Sequence, residues 1–157
     1  MYPEYVAILE MLRWDAPDSV KQRGLELARK VEDIWIFLQP QENLGKAVWG
    51  ECARILCEKS DGDLEPYFVP LLQWLQDLNW PGAWDVLGRL RVVEPHRIIR
   101  QYACCISTAE GLKDESWLYY LSGLIRNRAL YDLLGPWQKE LMLAQYGEFW
   151  GDDPWPV

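Results

Sequence analysis

Leu71-Leu72-Gln73-Trp74-Leu75-Gln76-Asp77-Leu78-Asn79-Trp80-Pro81-Gly82-Ala83-Trp84 is the stretch whose reading decides the fold. Leading into it, Leu64, Tyr67, Phe68, Leu71, Leu72, Leu75 and Leu78 recur at the i, i+3, i+4, i+7 spacing of a single apolar helix face. Pro81 has a fixed φ and no amide hydrogen, so it closes that pattern and suits the first turn of a following helix. Ala83, Val86, Leu87 and Leu90 carry the helical period onward. The stretch reads as a helix end, a tight corner and a helix start, the joint expected between stacked helical pairs. Asp77 or Asn79 is expected to accept hydrogen bonds from free amides at the next helix start. Gly82 and Ala83 are expected to let helices approach closely, and Trp80 to seal the corner.

The same periodicity runs outward in both directions. Tyr5, Ile8, Leu9 and Leu12 form one stripe; Val20, Gly24, Leu27, Ala28 and Val31 form the next. Leu44, Val48, Cys52, Ile55 and Leu56 form a third, after a short apolar turn, Ile34 to Leu38, that ends near Pro40. Ile98, Ile99, Tyr102, Ala103 and Ile106 follow the corner; then come Trp117, Leu118, Leu121, Leu124 and Ile125, and finally Trp137, Leu141 and Ala144. Helices are expected to start near residues 4, 17, 44, 64, 81, 96, 115 and 137. Pro17 suits a first turn, Asp63 and Asp114 suit caps, and Pro70 should bend its helix. Alternate starts recur at roughly 35–40 residues, near the HEAT and armadillo range. Leu12-Arg13-Trp14 and Leu78-Asn79-Trp80 also look alike. The expectation is an all-α, HEAT-like or armadillo-like α-solenoid of about four helix pairs. It forms a single domain over 1-157, with a patternless, flexible tail at about 151-157 that either dangles or packs across the last pair.

Composition narrows the function classes. Half of the 157 residues are hydrophobic, enough for a real core, and the ten Trp and eight Tyr can serve either that core or an interface. The net charge of -8 is opposite in sign to the basic field that a general nucleic-acid binder carries. It suits a basic protein partner or a well-solvated surface. The N-terminus lacks a basic segment followed by an apolar run, and no apolar stretch approaches the ~18 residues that cross a bilayer. The chain therefore reads as cytoplasmic, with no membrane partner. In a reducing compartment Cys52, Cys57, Cys104 and Cys105 are expected to behave as small apolar core residues rather than as a disulfide framework.

Little in the chain points to catalysis. His96, the single histidine, stands at an expected helix start without a partner motif. The cysteines lack metal-ligand spacing, no Gly-rich phosphate loop follows a strand, and no G-x-S-x-G elbow occurs. Glu51 and Glu58 could share a helix face, and Asp61 and Asp63 flank a glycine, but a calcium loop needs further ligands at set positions that are missing. No cofactor is expected.

At the corner the chain resembles a bacterial family of small HEAT-like proteins of unsettled function. Trp74-Leu75-Gln76-Asp77-Leu78-Asn79-Trp80-Pro81-Gly82-Ala83 carries the resemblance. Leu12-Arg13-Trp14-Asp15 before Pro17, Gln39-Pro40, Val48-Trp49, Cys52-Ala53 and Leu64-Glu65-Pro66-Tyr67 support it over about 5-90. The resemblance implies a HEAT-like fold, and some relatives look like toxin-immunity proteins. The resulting expectation is a non-enzymatic protein-binding solenoid that blocks a basic toxin domain. Asp15, Asp77, Trp80, Trp84 and Asp85 are the expected contacts, since Trp is enriched at hot spots. Two alternatives stand beside it: a HEAT-like DNA glycosylase using Arg97, Arg100, Arg126 and Arg128, and an adaptor for a housekeeping protein.

Overall fold

The computed structural model describes residues 1–41 and 44–156, with the backbone alone at residue 148. Helices and their connections make up the described residues, which contain no strand. Helix α1 spans Pro3–Met11, α2 Asp18–Ala28 and α3 Trp49–Cys57; α4 spans Asp61–Leu64, α5 Phe68–Trp74 and α6 Ala83–Arg91. Then come α7 (Pro95–Gly111), α8 (Glu115–Ser122), α9 (Arg128–Asp132) and α10 (Pro136–Trp150). No helix of the described residues is long and apolar enough to cross a membrane.

Sequence punctuation sets most of these boundaries. Pro3, Pro95 and Pro136 occupy first-turn positions, where a missing amide hydrogen costs nothing. The Asp114 carboxylate accepts from the Trp117 amide at 3.1 Å and caps α8, as expected. The cap before α5 differs from expectation. Ser60 Oγ accepts from the Asp63 amide at 3.1 Å, so the helix starts earlier and Asp63 sits in its first turn. The α-helical pattern is also interrupted before Pro70. A 3-10 turn at Glu65–Tyr67 separates α4 from α5. A proline ring crowds the carbonyl four residues back, which for Pro70 is residue 66, inside that turn. The third stripe begins as a 3-10 turn, Gly45–Ala47, and becomes α-helical only at Trp49. After Ser122 another 3-10 turn, Gly123–Arg126, and α9 complete a segment that periodicity alone does not resolve.

One apolar cluster runs from Leu9 to Tyr146. Within it α1 packs on α2, α3 on α6, α5 on α7, α7 on α8 and α8 on α10, while α6 also meets the 3-10 turn after α8. Polar side-chain tips find buried partners. The Tyr102 hydroxyl donates to the Leu121 carbonyl at 2.6 Å, and Trp117 Nε1 to the Leu72 carbonyl at 3.0 Å. Two expectations about burial need correction. Cys52 and Cys105 are core residues, but Cys57 is half-buried and Cys104 exposed. On α10 the inward residues are Gln138, Met142 and Tyr146, whereas Trp137 and Ala144 face out.

The corner between α5 and α6 is the tightest joint. Gly82 has φ +81°, a left-handed conformation that L side chains rarely adopt. A Cβ there would lie 2.4 Å from Ala53 Cβ and 3.0 Å from the Trp49 carbonyl oxygen. Trp74 Nε1 donates to the Pro81 carbonyl at 3.1 Å, holding the corner to the helix before it. Trp49 stacks edge-on against Trp74 (6.2 Å) and Trp80 (5.7 Å). Its own Nε1 donates to the Pro40 carbonyl at 2.9 Å. Asp77 does not cap α6, as the sequence suggested. Its Oδ1 accepts from the Asn79 amide at 2.8 Å within the corner, and Gly82 is the N-cap residue without any side-chain bond.

Gly88, in the middle of α6, is the opposite case: a Cβ there would meet nothing within 4 Å. Gly82→Ala should therefore cost about 2–4 kcal/mol through backbone strain and overpacking. Gly88→Ala should gain about 0.5–1 kcal/mol from helix propensity. Urea or thermal unfolding of the two variants beside the parent chain checks both signs.

Candidate partner-binding surface

The five side chains expected to meet a partner do not form one patch. Asp15 is exposed and pairs with Arg13 at 3.0 Å; the Arg13 guanidinium holds its carboxyl below the usual range. It follows Trp14, which is 74% exposed and whose backbone N–H donates to the Ala47 carbonyl at 2.9 Å. Trp14 and Pro81 line one small cavity with Lys21, Lys46 and Glu51, so the two look-alike corners meet at the start of α3. Trp80 is half-buried against Trp49, with the Lys46 ammonium 5.9 Å from its ring centroid. Asp77 is engaged inside its own corner. Trp84 and Asp85 remain together on the outer side of α6.

Trp84 is 56% exposed and belongs to a larger arrangement. Its ring meets Trp150 edge-on at 5.7 Å; Trp150 meets Phe149 at 4.6 Å, and Phe149 meets Tyr120 at 5.2 Å. Edge-to-face pairing of this kind aligns ring quadrupoles favourably. The strip joins α6, α10 and α8; Phe149 within it is 44% exposed, and Tyr120 at its far end is half-buried. Trp150 is its anchor. Its Nε1 donates to Ser122 Oγ at 3.1 Å, and its ring lies so close to Gly123 that a Cβ there would stand 2.6 Å away. The Arg91 guanidinium lies 5.2 Å from the Trp150 ring centroid and donates through Nε to the Gly123 carbonyl at 2.8 Å. Burial lowers the Arg91 pKa from its ordinary value.

Residues 50–142 match the family described as a domain of unknown function (DUF5071). The chain belongs to this family. No curated protein and no solved structure matches it. The DUF5071 match takes in the Gly82 corner, Trp84 and Tyr120, and stops short of Phe149 and Trp150. It also covers α7 and α8, beyond the stretch of about 5-90 that carried the resemblance, and leaves out residues 5–49.

Beside Trp84, a groove between α3 and α6 is lined by Arg54, Cys57, Glu58, Asp85 and Arg89. Most of its charges are matched within this DUF5071 chain. Arg29 holds Glu58 through two bonds of 2.9 and 3.0 Å, and Arg89 donates to Asp61 at 2.7 Å and to the Lys59 carbonyl at 2.9 Å. Arg54 stands 3.6 Å from Glu51, so Glu51 and Glu58 each face an arginine of the chain. Asp85 forms no hydrogen bond or ion pair among the described residues. Burial, with Asp85 adding to it, pushes the Cys57 thiol up to about 11, so it stays protonated rather than nucleophilic. Among the described residues no three His, Cys, Asp or Glu side chains gather where they could hold a metal ion.

Three of the four arginines expected for DNA, all but Arg100, pair with carboxylates of the chain. Arg97 pairs with Glu65 at 3.2 Å, Arg126 with Asp152 at 3.1 Å and Arg128 with Asp132 at 3.7 Å. The tail after α10 packs on the bundle: Trp155 Nε1 donates to the Ile125 carbonyl at 2.8 Å, and its ring lies 4.6 Å from Tyr131. Val157, the last tail residue, lies outside the described residues.

Asp61 is the polar hub of the neighbouring helix ends. The Glu94 amide donates to it at 3.0 Å, and this bond and the Arg89 guanidinium hold its carboxyl below the ordinary range. A carboxyl whose pKa falls on folding contributes stability at pH above the unfolded value of about 3.9, and loses it as pH falls below that value toward the folded one. Asp61→Ala should cost about 1–3 kcal/mol at pH 7 and flatten the loss of stability below about pH 4. Chemical unfolding across that pH range measures both effects.

Proposed function

We propose that this chain is a non-enzymatic, protein-binding α-solenoid. Its most concrete form is an immunity protein that neutralises a cognate basic toxin by covering its surface. The solenoid element is supported by the packing of α3 on α6 and of α5 on α7, an alternation that stacked helical pairs produce. The binding element rests on one observation above all: the partly exposed aromatic strip from Trp84 to Tyr120, beside Asp85, whose carboxylate has no ion pair among the described residues. Large aromatic side chains dominate interface energetics, and a chain carrying -8 steers basic partners toward itself. No cofactor is needed for such a mechanism; the chain occludes the groove through which the toxin reaches its substrate.

Co-expression with toxins encoded beside the gene tests this reading. Protection of cells, together with a one-to-one complex of the two purified proteins that weakens as salt rises, is the expected result. Loss of viability with every neighbouring toxin, and no stoichiometric basic protein on the tagged chain from its native host, would overturn it.

A further inference from the structure

Resting on the protein-binding reading above, we propose that the outer face of α6 and the C-terminal end of α10 form the docking surface. Its occupant is a basic segment of the partner that lays an arginine side chain across Trp84 toward Asp85.

Three observations converge on that face. First, Trp84 is 56% exposed, and its ring meets that of the anchored Trp150 in a T-shaped contact at 5.7 Å. A pre-positioned aromatic face receives a guanidinium without paying to order itself. The molecule already uses this chemistry internally, with Arg91 5.2 Å from the Trp150 centroid and Arg128 4.3 Å from that of Trp155. Second, Asp85 adjoins Trp84 and lacks a cationic partner, while the nearby cations are held. Arg89 is bound by Asp61, Arg91 is tied to the Gly123 carbonyl, and Arg54 stands beside Glu51. Among the described residues Asp85 is therefore the carboxylate at this edge left open to an external cation.

Third, Gly88 lies one helical turn after Trp84, on the exposed side of α6. A glycine inside a helix costs about 1 kcal/mol relative to alanine, and nothing in the chain within 4 Å of its would-be Cβ requires one. It leaves a bare notch between Trp84 and Val92, itself 71% exposed, into which an external chain can settle against the helix backbone. Trp14, Trp35 and Trp137 are also exposed; of these, Trp14 stands beside Asp15, but that carboxylate is taken by Arg13.

The test uses the full chain, isotope-labelled, with acetyl-hexa-arginine amide as the probe at 150 mM salt. The Trp84 indole and the Asp85 and Gly88 amides should shift together. Trp84→Ala and Gly88→Leu should each weaken binding about tenfold and Asp85→Asn about threefold, with melting temperatures at or above the parent's for Gly88→Leu. Trp14→Ala and Glu10→Gln should bind as the parent does. Shifts spread evenly over the acidic surface, or parental affinity in Trp84→Ala and Gly88→Leu, would overturn the assignment. The same variants with a cognate partner separate this surface from the functional reading. A partner that binds Trp84→Ala and Gly88→Leu normally leaves the reading intact and removes this surface. Peptide binding confined to α6, with no protection from any neighbouring toxin, keeps the surface and removes the immunity reading.

Discussion

Gly82 sits against α3 with no room for a side chain, and much of the fold is arranged around that contact. The left-handed turn at Gly82 brings α6 back alongside α3, and the absent Cβ lets the corner touch Ala53 and the Trp49 carbonyl. Three indoles then close the joint: Trp74 bonds to the corner, while Trp49 stands edge-on to both Trp74 and Trp80. With α6 fixed in this way, its apolar side carries Val86, Leu87 and Leu90 into the core, and its other side carries Trp84, Asp85 and Gly88 outward. One close backbone approach thereby decides both what the helix buries and what it presents.

This division explains how a chain so rich in tryptophan uses it. Trp49, Trp74 and Trp117 are core residues whose indole nitrogens each donate to a backbone carbonyl, so their polar tips are satisfied in place. Trp80 and Trp150 are half-buried and act as hinges between layers. Trp84 has a ring held only along one edge. An aromatic residue with that combination of exposure and fixed orientation is what an interface needs, since little entropy is lost when a partner covers it. The corner residues that carry the sequence resemblance are thus largely committed to the fold, and the surface proposed for a partner begins just beyond them on the same helix.

Much of the fold was legible because it depends on local rules. Apolar periodicity and the first-turn prolines placed the helix starts near 4, 17, 96, 115 and 137 to within a residue or two. Local rules failed where two of them compete. Pro66 and Pro70 share one segment, so the break appears one turn before the bend expected from Pro70. On α10 apolar residues occur on every side, so periodicity selected the face bearing Trp137 and Ala144 rather than the buried one. For the proposed surface, Trp84 and Asp85 stand out in the sequence as a Trp beside an acid just after a corner. Phe149, Trp150 and Tyr120 do not, because their meeting with Trp84 is a tertiary contact between α6, α8 and α10. Gly88 carries a signal only once the space around it is known to be open.

The claim that the corner is welded to its neighbours is tested most directly by hydrogen exchange at the tryptophan indoles. Followed by NMR in the intact chain, the Nε1 protons of Trp74, bonded to the Pro81 carbonyl of the corner, and of Trp49, bonded to the Pro40 carbonyl, should exchange only through global unfolding and track its denaturant dependence. The indoles of Trp14 and Trp84, for which the structure provides no carbonyl acceptor, should exchange orders of magnitude faster. If the Trp74 indole instead exchanges as fast as that of Trp84, the corner opens on its own, and the account built on Gly82 is wrong.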